Sequence, residues 1–464
     1  MITNTTTIRL EIEKGIRQKG HSLSSFGKLA GINRGIISGI LNGNPPKSIS
    51  IRQLDLMAEA LGHPEGWMYE YYVDECFINE KADWRRIKAF LLRCTEIGRY
   101  DCIQAVLDRL MEDLSNTVSV FGLAEELYEE GKVKESLPFY ECVIENEKHQ
   151  HSERLAIAHY RVFKASIGED TEKSLRAVIR FEPYRNRLPE NLMLDALLKL
   201  AGVYYRFQDW KLMEYCADEL NLLAETIYQS EITHVKENYS STLFTTERHP
   251  VFYYGQAFVI KSIALEFQQQ YEQAKYYIKK YEDLSWFKGL DEAGRHEVEQ
   301  FKMYAFANNH TLNLLTGNFT EIDEYLNFIN DNPEEILPGL ISISEAAIKY
   351  DIDIDDILNR FSNCFKHSDI TKIPPHNISR YLVLYYQLAI YNIKKERYTK
   401  SIDSVILSLT FAIKDSNKTK ILDCVSLFER LKNQATPEQK NTYTSIIMEV
   451  NKDAQGFSIA GSNI

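Results

Sequence analysis

Hydrophobic residues recur at intervals of three or four along most of the chain, which predicts amphipathic α-helices rather than strands. The first sixty residues hold four short helices, the first predicted over residues 7–19 and the fourth over residues 50–61. Gly31 and Gly43 end the second and third of them, because glycine after a periodic segment favours a helix stop. The chain therefore begins with short helices joined by short turns.

From about residue 82 onward, longer amphipathic helices follow one another in pairs. The turns that separate the helices of each pair lie near residues 98, 131, 170 and 208, at spacings of 33, 39 and 38 residues. A spacing close to ~34 residues is typical of tetratricopeptide repeats, which stack into a superhelix with a concave face. A non-repeating helical bundle is the alternative that this pattern leaves open.

Residues 23–43 fit a helix-turn-helix unit, which needs a supporting helix, a tight turn and a second helix that can enter the major groove of DNA. Gly31 supplies the turn. Ile32, Ile37 and Ile40 are predicted to face inward and to hold the second helix against the first. We therefore predict an all-α protein, with an N-terminal helix-turn-helix domain followed by a tetratricopeptide-like superhelical array.

The charge of the chain is divided unevenly. The net charge is −12, but residues 1–64 contain eight Lys or Arg and four Asp or Glu, which makes +4. The remaining 400 residues contain 46 basic and 62 acidic side chains, which makes −16. A small basic head on an acidic body agrees with a head that contacts nucleic acid.

The head resembles the Cro and phage-repressor (XRE) family of helix-turn-helix domains. The matching positions are Phe26-Gly27, the run 30–34, Ile37-Ser38, Ile40 and Gly43, and the segment IRQLDLMAEALG resembles the next element of the family. The resemblance covers about 65 residues and implies binding to double-stranded operator DNA. The chain departs from the family pattern at Leu41, and at Gly35 and Gly39, each of which weakens the recognition helix by roughly 1 kcal/mol relative to Ala.

We predict DNA contacts on the exposed face of the third helix and beside it. Arg34, Ser38 and Asn42 are the candidates for base edges, and Lys28 and Lys47 are the candidates for phosphate. The helix N-terminus also favours phosphate, because its backbone N–H groups are free. The full predicted set is Ser24, Lys28, Asn33, Arg34, Gly35, Ser38, Asn42 and Lys47.

The two halves together resemble the peptide-sensing regulators of Gram-positive bacteria and their phages, the RRNPPA group. The resemblance implies a cytoplasmic homodimer that binds operator DNA and holds a short quorum-sensing or arbitrium-like peptide on its concave face. On this basis residues 1–66 form the DNA-binding domain and 67–84 a linker helix. Residues 85–450 form the repeat domain for peptide sensing and dimerisation, and 451–464 a flexible tail.

Helical-wheel placement predicts which side chains face the groove of the array. An extended peptide needs amide or Arg side chains for its backbone and charged or aromatic side chains for its residues. The acidic body suits a peptide that carries Lys or Arg. The predicted peptide contacts are Tyr160, Arg206, Tyr254, Asn308, Asn309, Asn313 and Tyr385.

No motif in the sequence points to catalysis, and we expect neither an enzyme nor a cofactor. The sequence lacks GxGxxG, GxxxxGK[ST], GxSxG and HExxH, and His149 and His151 have no second pair of ligands at metal-site spacing. We also expect no membrane segment and no signal peptide. Two alternatives remain open, namely a module that binds a partner protein and a repressor that needs no peptide.

Overall fold

The computed structural model describes residues 7–78, 81–149, 151–168, 170–236, 246–365 and 373–458, and over these residues the chain is all-helical apart from one short ladder. Strand β1 (Phe77–Ile78) pairs antiparallel with β2 (Lys81–Ala82). The 3-10 turns are Leu114–Asn116, Glu182–Arg187, Pro333–Glu335 and Lys432–Gln434. The helices are α1 (Ile8–Gln18), α2 (Leu23–Ala30), α3 (Arg34–Asn42), α4 (Ile51–Ala60), α5 (Tyr69–Glu75), α6 (Trp84–Ile97), α7 (Tyr100–Leu110), α8 (Thr117–Glu129), α9 (Val133–Asn146), α10 (Glu153–Ser166), α11 (Thr171–Phe181), α12 (Glu190–Phe207), α13 (Trp210–Lys236), α14 (Pro250–Phe267), α15 (Tyr271–Tyr281), α16 (Glu292–Leu315), α17 (Ile322–Asp331), α18 (Ile336–Tyr350), α19 (Asp355–Arg360), α20 (Ser362–Phe365), α21 (Pro375–Lys394), α22 (Tyr398–Lys414), α23 (Lys418–Leu431) and α24 (Pro437–Ser458).

The four predicted helices of the head are confirmed, and side chains satisfy their free N-terminal N–H groups. Ser22 caps α2 in a reciprocal capping box with Ser25, and Ser50 caps α4 in the same way with Gln53. Asn33 caps α3. These caps fix where each helix begins, which leaves turns of only three residues between α2 and α3.

The segment after the head differs from the linker helix predicted over residues 67–84. Helix α5 begins only at Tyr69, because Met68 has the left-handed φ of 63° and ends the preceding turn. The segment closes with the β1–β2 ladder, which hydrophobic periodicity did not indicate since each strand is only two residues long.

The chain forms two compact units, one that extends to Ala196 and one that begins at Leu197. In the first unit a single apolar core is continuous from the head into the helices that follow it. It joins Phe26 and Ile37 of the head to Tyr72 of α5 and Phe90 of α6, each fully buried. The head is therefore packed on its neighbouring helices rather than held by a flexible tether.

The predicted turns of the array lie between consecutive antiparallel helices. The predicted turn at residue 170 has an ordinary backbone, because Asp170 has φ of −71° and caps α11. A left-handed residue marks each of the other three, with φ of 73° at Gly98, 79° at Gly131 and 57° at Gln208, and the same geometry recurs at Glu396 with φ of 57°. A new helix begins two residues after each of them. This recurrence of one turn geometry explains why the spacing was visible in the sequence.

In the second unit, alternate helices pack side by side in one row. Helix α14 contacts α16, α16 contacts α18, and α18 contacts α21, while α15 contacts both α14 and α16, and α22 contacts α21. We call α14, α16, α18 and α21 the inner row. Helix α24 continues through part of the expected tail to Ser458, and residues 459–464 lie outside the described residues. No helix in the described part of the chain has an apolar stretch long enough to cross a bilayer.

Candidate functional site

The turn between α2 and α3 brings two backbone segments into close contact. The N–H of Ile32 donates to the carbonyl of Gly27 at 2.9 Å. A Cβ atom at position 27 would lie 2.6 Å from the Ile32 carbonyl oxygen, closer than van der Waals contact allows. Gly31 adopts the left-handed φ of 64° that ends α2. Glycine is therefore required at position 27 by packing and favoured at position 31 by conformation.

Helix α3 has one buried face and one exposed face. Ile37 and Ile40 are buried, with 0% and 1% of their surface exposed, and Ile32 is buried in the turn, as predicted. Arg34 and Asn42 are exposed, while Ser38, between them at four-residue spacing, is half-buried. Because residues four apart lie on the same side of a helix, these three side chains form one polar stripe.

Most of the predicted DNA contacts are free for a ligand. Asn33 is the exception, because its Oδ1 accepts the N–H of Gly35 at 2.7 Å and so serves as the helix cap. Gly35 is exposed and has no side chain to offer. Among the residues that the structure describes, no intramolecular hydrogen bond or ion pair engages six side chains: Ser24, Lys28, Arg34, Ser38, Asn42 and Lys47.

Gly39 has a packing role that its helix propensity did not reveal. The backbone N–H of Lys47 donates to the Gly39 carbonyl at 2.9 Å. A Cβ atom at position 39 would lie 2.9 Å from Cδ of Lys47, and one at Gly43 would lie 2.3 Å from the Gly39 carbonyl oxygen. The two glycines let the loop after α3 fold back onto the helix, which places the Lys47 side chain beside the polar stripe.

Two side chains from later helices hold the end of that loop. The hydroxyl of Tyr72 on α5 donates to the carbonyl of Ile49 at 2.9 Å. The guanidinium of Arg86 on α6 donates to Oγ of Ser48 at 2.6 Å and to the carbonyl of Glu75 at 2.5 Å. The position of the loop therefore depends on helices outside the head.

Two of the seven predicted peptide contacts are buried. Tyr160, in the first unit, has no exposed surface, and its hydroxyl donates to the carboxylate of Asp195. Tyr385 on α21 is 7% exposed and packs against Tyr381 and Phe411. The helical wheel placed both residues on helices, as observed, but it could not show that other side chains bury their rings. Neither ring presents a surface to a ligand in this conformation.

The other five predicted peptide contacts all lie in the second unit. Asn308 on α16 donates to the hydroxyl of Tyr281 on α15 at 2.8 Å, so it points between these two helices. Tyr254 on α14 is half-buried within an aromatic cluster that includes Tyr228 and Trp286. Arg206 on α12 is exposed, and Asn309 and Asn313 on α16 are half-buried.

Electrostatic neighbours on α12, α14 and α18 form a group that helical-wheel reasoning missed. Burial, and then the charge of Glu345 on α18, raises the pKa of Glu266 on α14 to about 7. Burial also raises the pKa of Tyr205 on α12, with a further contribution from the Glu266 carboxylate. Glu266 is only half-buried and Glu345 and Tyr205 are exposed, so these groups are surrounded by protein yet open to solvent. We call Tyr205, Glu266 and Glu345 the inner acidic group.

The sequence marks this group by a carboxylate on a largely apolar helix. Helix α14 has apolar residues on nearly every side, and Lys261 and Glu266 are its ionisable Lys, Arg, Asp or Glu side chains. Lys261 is paired with Glu214 and Asp218, both at 2.7 Å, whereas the charge that acts on Glu266 is that of another carboxylate, Glu345. An acidic residue without a basic neighbour on a buried helix is a marker of function.

The described part of the chain contains no group of three or more His, Cys, Asp or Glu side chains placed to hold a metal ion. No family model matches the chain, and no curated protein matches its sequence. Among solved structures it is similar to a "Circular tandem repeat protein with novel repeat topology and enhanced subunit contact surfaces". That likeness has 12% identity and a TM-score of 0.15, over 96% of this chain and 90% of the other, and at this TM-score it carries no argument.

Proposed function

We propose that the protein is a DNA-binding transcription regulator of the XRE helix-turn-helix type, that it acts as a homodimer, and that a short peptide controls its operator binding. The observation that supports DNA binding best is the face of α3. A capped helix, held inward by Ile37 and Ile40, presents a polar stripe whose side chains have no partner within the described protein.

Helix α3 would enter the major groove with its N-terminal end foremost. Arg34, the first residue of α3, would pair with a guanine edge or a nearby phosphate, and Ser38 and Asn42 would extend the contact along the groove. Lys28 and Lys47 flank the stripe and would neutralise phosphates. The charge of +4 on residues 1–64 attracts DNA to the head. The charge of −16 on the remaining residues repels DNA from the rest of the chain.

Fluorescence anisotropy with labelled DNA from upstream of the protein's own gene tests this proposal. We expect specific binding at moderate salt, and we expect Arg34→Ala to cost ~1–3 kcal/mol of that binding. Arg17→Ala is the matched control, because Arg17 is also an exposed arginine of the head but pairs with Glu13 at 2.5 Å on α1. Specific affinity that is equal in both variants would overturn the role of α3.

We further propose that the controlling peptide is cationic and binds at the inner acidic group. Glu266 and Glu345 are neighbouring carboxylates, and burial raises the pKa of each. A Lys or Arg side chain placed between them would relieve their repulsion and form charge-assisted hydrogen bonds. Tyr205 offers an aromatic ring near the Glu266 carboxylate, and the face of such a ring attracts a cation.

Hexapeptide pools test the peptide proposal without a known ligand. One pool has Arg at one position and random residues elsewhere, and the other has Glu at that position. Calorimetry with the full chain should show binding of the Arg pool that is lost in Glu266→Gln and kept in Glu272→Gln, a change at an exposed glutamate of α15. Equal binding of both pools would exclude a cationic peptide at this site.

A further inference from the structure

A small cavity lies between the two helices of one hairpin in the first unit, well apart in sequence from α3 and from the inner acidic group. It has a volume of about 170 Å³ and is open to solvent on one side. Its apolar wall is formed by Val162 and Phe163 of α10 and by Phe181 of α11. The rings of Phe163 and Phe181 stack with their centroids 4.8 Å apart, and together they form the apolar floor of the cavity.

The rim of this cavity is cationic. Lys173, Arg176 and Arg180 of α11 line it, and no lining side chain is a carboxylate. The positive charge at this rim contrasts with the net charge of −12 on the whole chain. Local charge complementarity therefore points to an anionic ligand.

The three cations are held differently. Arg180 makes a bidentate pair with Glu141, one bond of which is 2.8 Å, and Arg176 donates to Glu172 at 2.6 Å. Neither Glu141 nor Glu172 is among the residues that line the cavity. The ammonium of Lys173 has no ion pair or hydrogen bond in the described part of the chain, so it is available to an incoming anion.

A buried imidazole completes the lining. His159 of α10 is 5% exposed and stacks on Tyr184 at 3.8 Å, and its Nδ1 has no hydrogen-bond partner. Burial, and then the charge of Arg180, lowers the pKa of His159 to about 4, so the ring is neutral at pH 7. A neutral ring gives the cavity a polar wall without adding a further charge.

We propose that this cavity binds a small free organic acid with one aromatic ring or a branched alkyl group. The ring would pack on the apolar floor formed by Phe163 and Phe181, and the carboxylate would lie at Lys173 and Arg180. The volume supports this size, because a cavity of ~150 Å³ holds a benzene ring whereas drug-sized ligands need ~300 Å³ or more. The site is a second ligand site, distinct from the peptide site proposed above.

Phenylacetate is a suitable probe, with phenylacetamide and acetate as its neutral and ring-free counterparts. Binding to the full chain is followed by NMR of ¹³C-labelled histidine, with the His159 signal assigned from its loss in His159→Gln. We expect phenylacetate to shift the His159 signal and to raise the pKa of His159, because a nearby anion favours the imidazolium. We expect phenylacetamide and acetate each to bind at least about tenfold more weakly.

Lys173→Met removes the free cation and keeps most of the aliphatic stem. We expect it to weaken phenylacetate binding about tenfold or more. Lys134→Met, at another exposed lysine that has no ion pair in the described residues, should leave it unchanged. Equal binding of phenylacetate and phenylacetamide, an unmoved His159 signal, or full binding by Lys173→Met would each overturn the proposal.

Discussion

Arg9 on α1 and Glu75 on α5 form a bidentate ion pair although they are 66 positions apart in the chain. The same guanidinium donates to the carbonyl of Ile40 at 3.2 Å and to that of Lys47 at 3.1 Å. One side chain thus ties the last turn of α3 and the loop after it to the segment that follows the head. The carbonyl of Glu75 in turn accepts from Arg86 on α6, so the contacts continue into the next helix.

We expect Glu75→Gln to destabilise the fold, because it leaves a partly buried guanidinium without its counter-charge. The side chains of Arg9 and Glu75 are only 24% and 15% exposed, and the loss should be ~1–3 kcal/mol in the free energy of unfolding. Urea unfolding followed by circular dichroism measures it. Glu13→Gln, which breaks an exposed pair on the same α1, should cost at most ~0.5 kcal/mol, and equal losses would refute the distinction.

Gly27→Ala should destabilise the head by ~1–3 kcal/mol, because the new Cβ would meet the rigid Ile32 carbonyl oxygen at 2.6 Å. Gly122→Ala should instead stabilise the chain by up to ~1 kcal/mol, since Gly122 is within α8 and a Cβ there has open space around it. The two substitutions are chemically identical, so denaturant midpoints compared side by side isolate the packing. Destabilisation of the same size in both would contradict our account of the turn.

Lys47 is predicted to contact phosphate rather than a base. Lys47→Met should therefore weaken binding to specific and random DNA by similar factors, and should reduce the slope of log affinity against log salt by about one. Arg34→Ala should instead act mainly on the specific sequence. Salt titrations of anisotropy on both kinds of DNA make the comparison. A Lys47→Met effect confined to the operator would assign Lys47 to base recognition instead.

His159 should make the stability of the protein depend on pH. Its pKa is about 4 in the folded chain and near 6.5 when unfolded. Between these two pH values the unfolded state binds a proton that the folded state does not. The contribution of His159 to the free energy of unfolding is therefore fully present above pH 6.5 and is lost as the pH falls toward 4, by up to about 3 kcal/mol. His159→Phe should remove this part of the slope, while His151→Gln, at an exposed position, should not. If the free energy of unfolding changed with pH in the same way in the native chain and in His159→Phe, this role of His159 would be refuted.

Binding of a cationic peptide at the inner acidic group should strengthen as the pH rises. The carboxyl group of Glu266 has a pKa of about 7, so it is mostly protonated at pH 6 and mostly ionised at pH 8. Only the ionised form attracts the cation, and we expect affinity to increase about tenfold over this range. Glu266→Gln should bind weakly at every pH in calorimetry, with Glu345 still in place. A native profile without slope would place the peptide elsewhere.

The helices and turns of the head were largely predictable, because the signals that specify them are local. The cap residues Ser22, Asn33 and Ser50 and the inward isoleucines Ile37 and Ile40 can all be found from spacing within a few residues. The turns near residues 98, 131 and 208 were visible because one geometry recurs.

The candidate sites were predictable only in part. The polar stripe on α3 follows from helical periodicity. The close packing of the Lys47 side chain on Gly39 does not, since the two residues lie in different segments. Periodicity also gives the direction of a side chain around a helix axis without showing what covers it. Tyr160 is covered through Asp195, 35 residues later, and so is removed from the surface.

The sequence by itself therefore determined the helical class, the four short helices of the head and the charge division between head and body, because each depends on neighbouring residues or on composition. Only the tertiary structure decided that Arg9 pairs with Glu75, that the charge of Glu345 acts on Glu266, and that Lys173 and Phe163 line one cavity. The physical reason is that these contacts join distant segments. Helix packing decides which of them meet, and no local pattern records that choice.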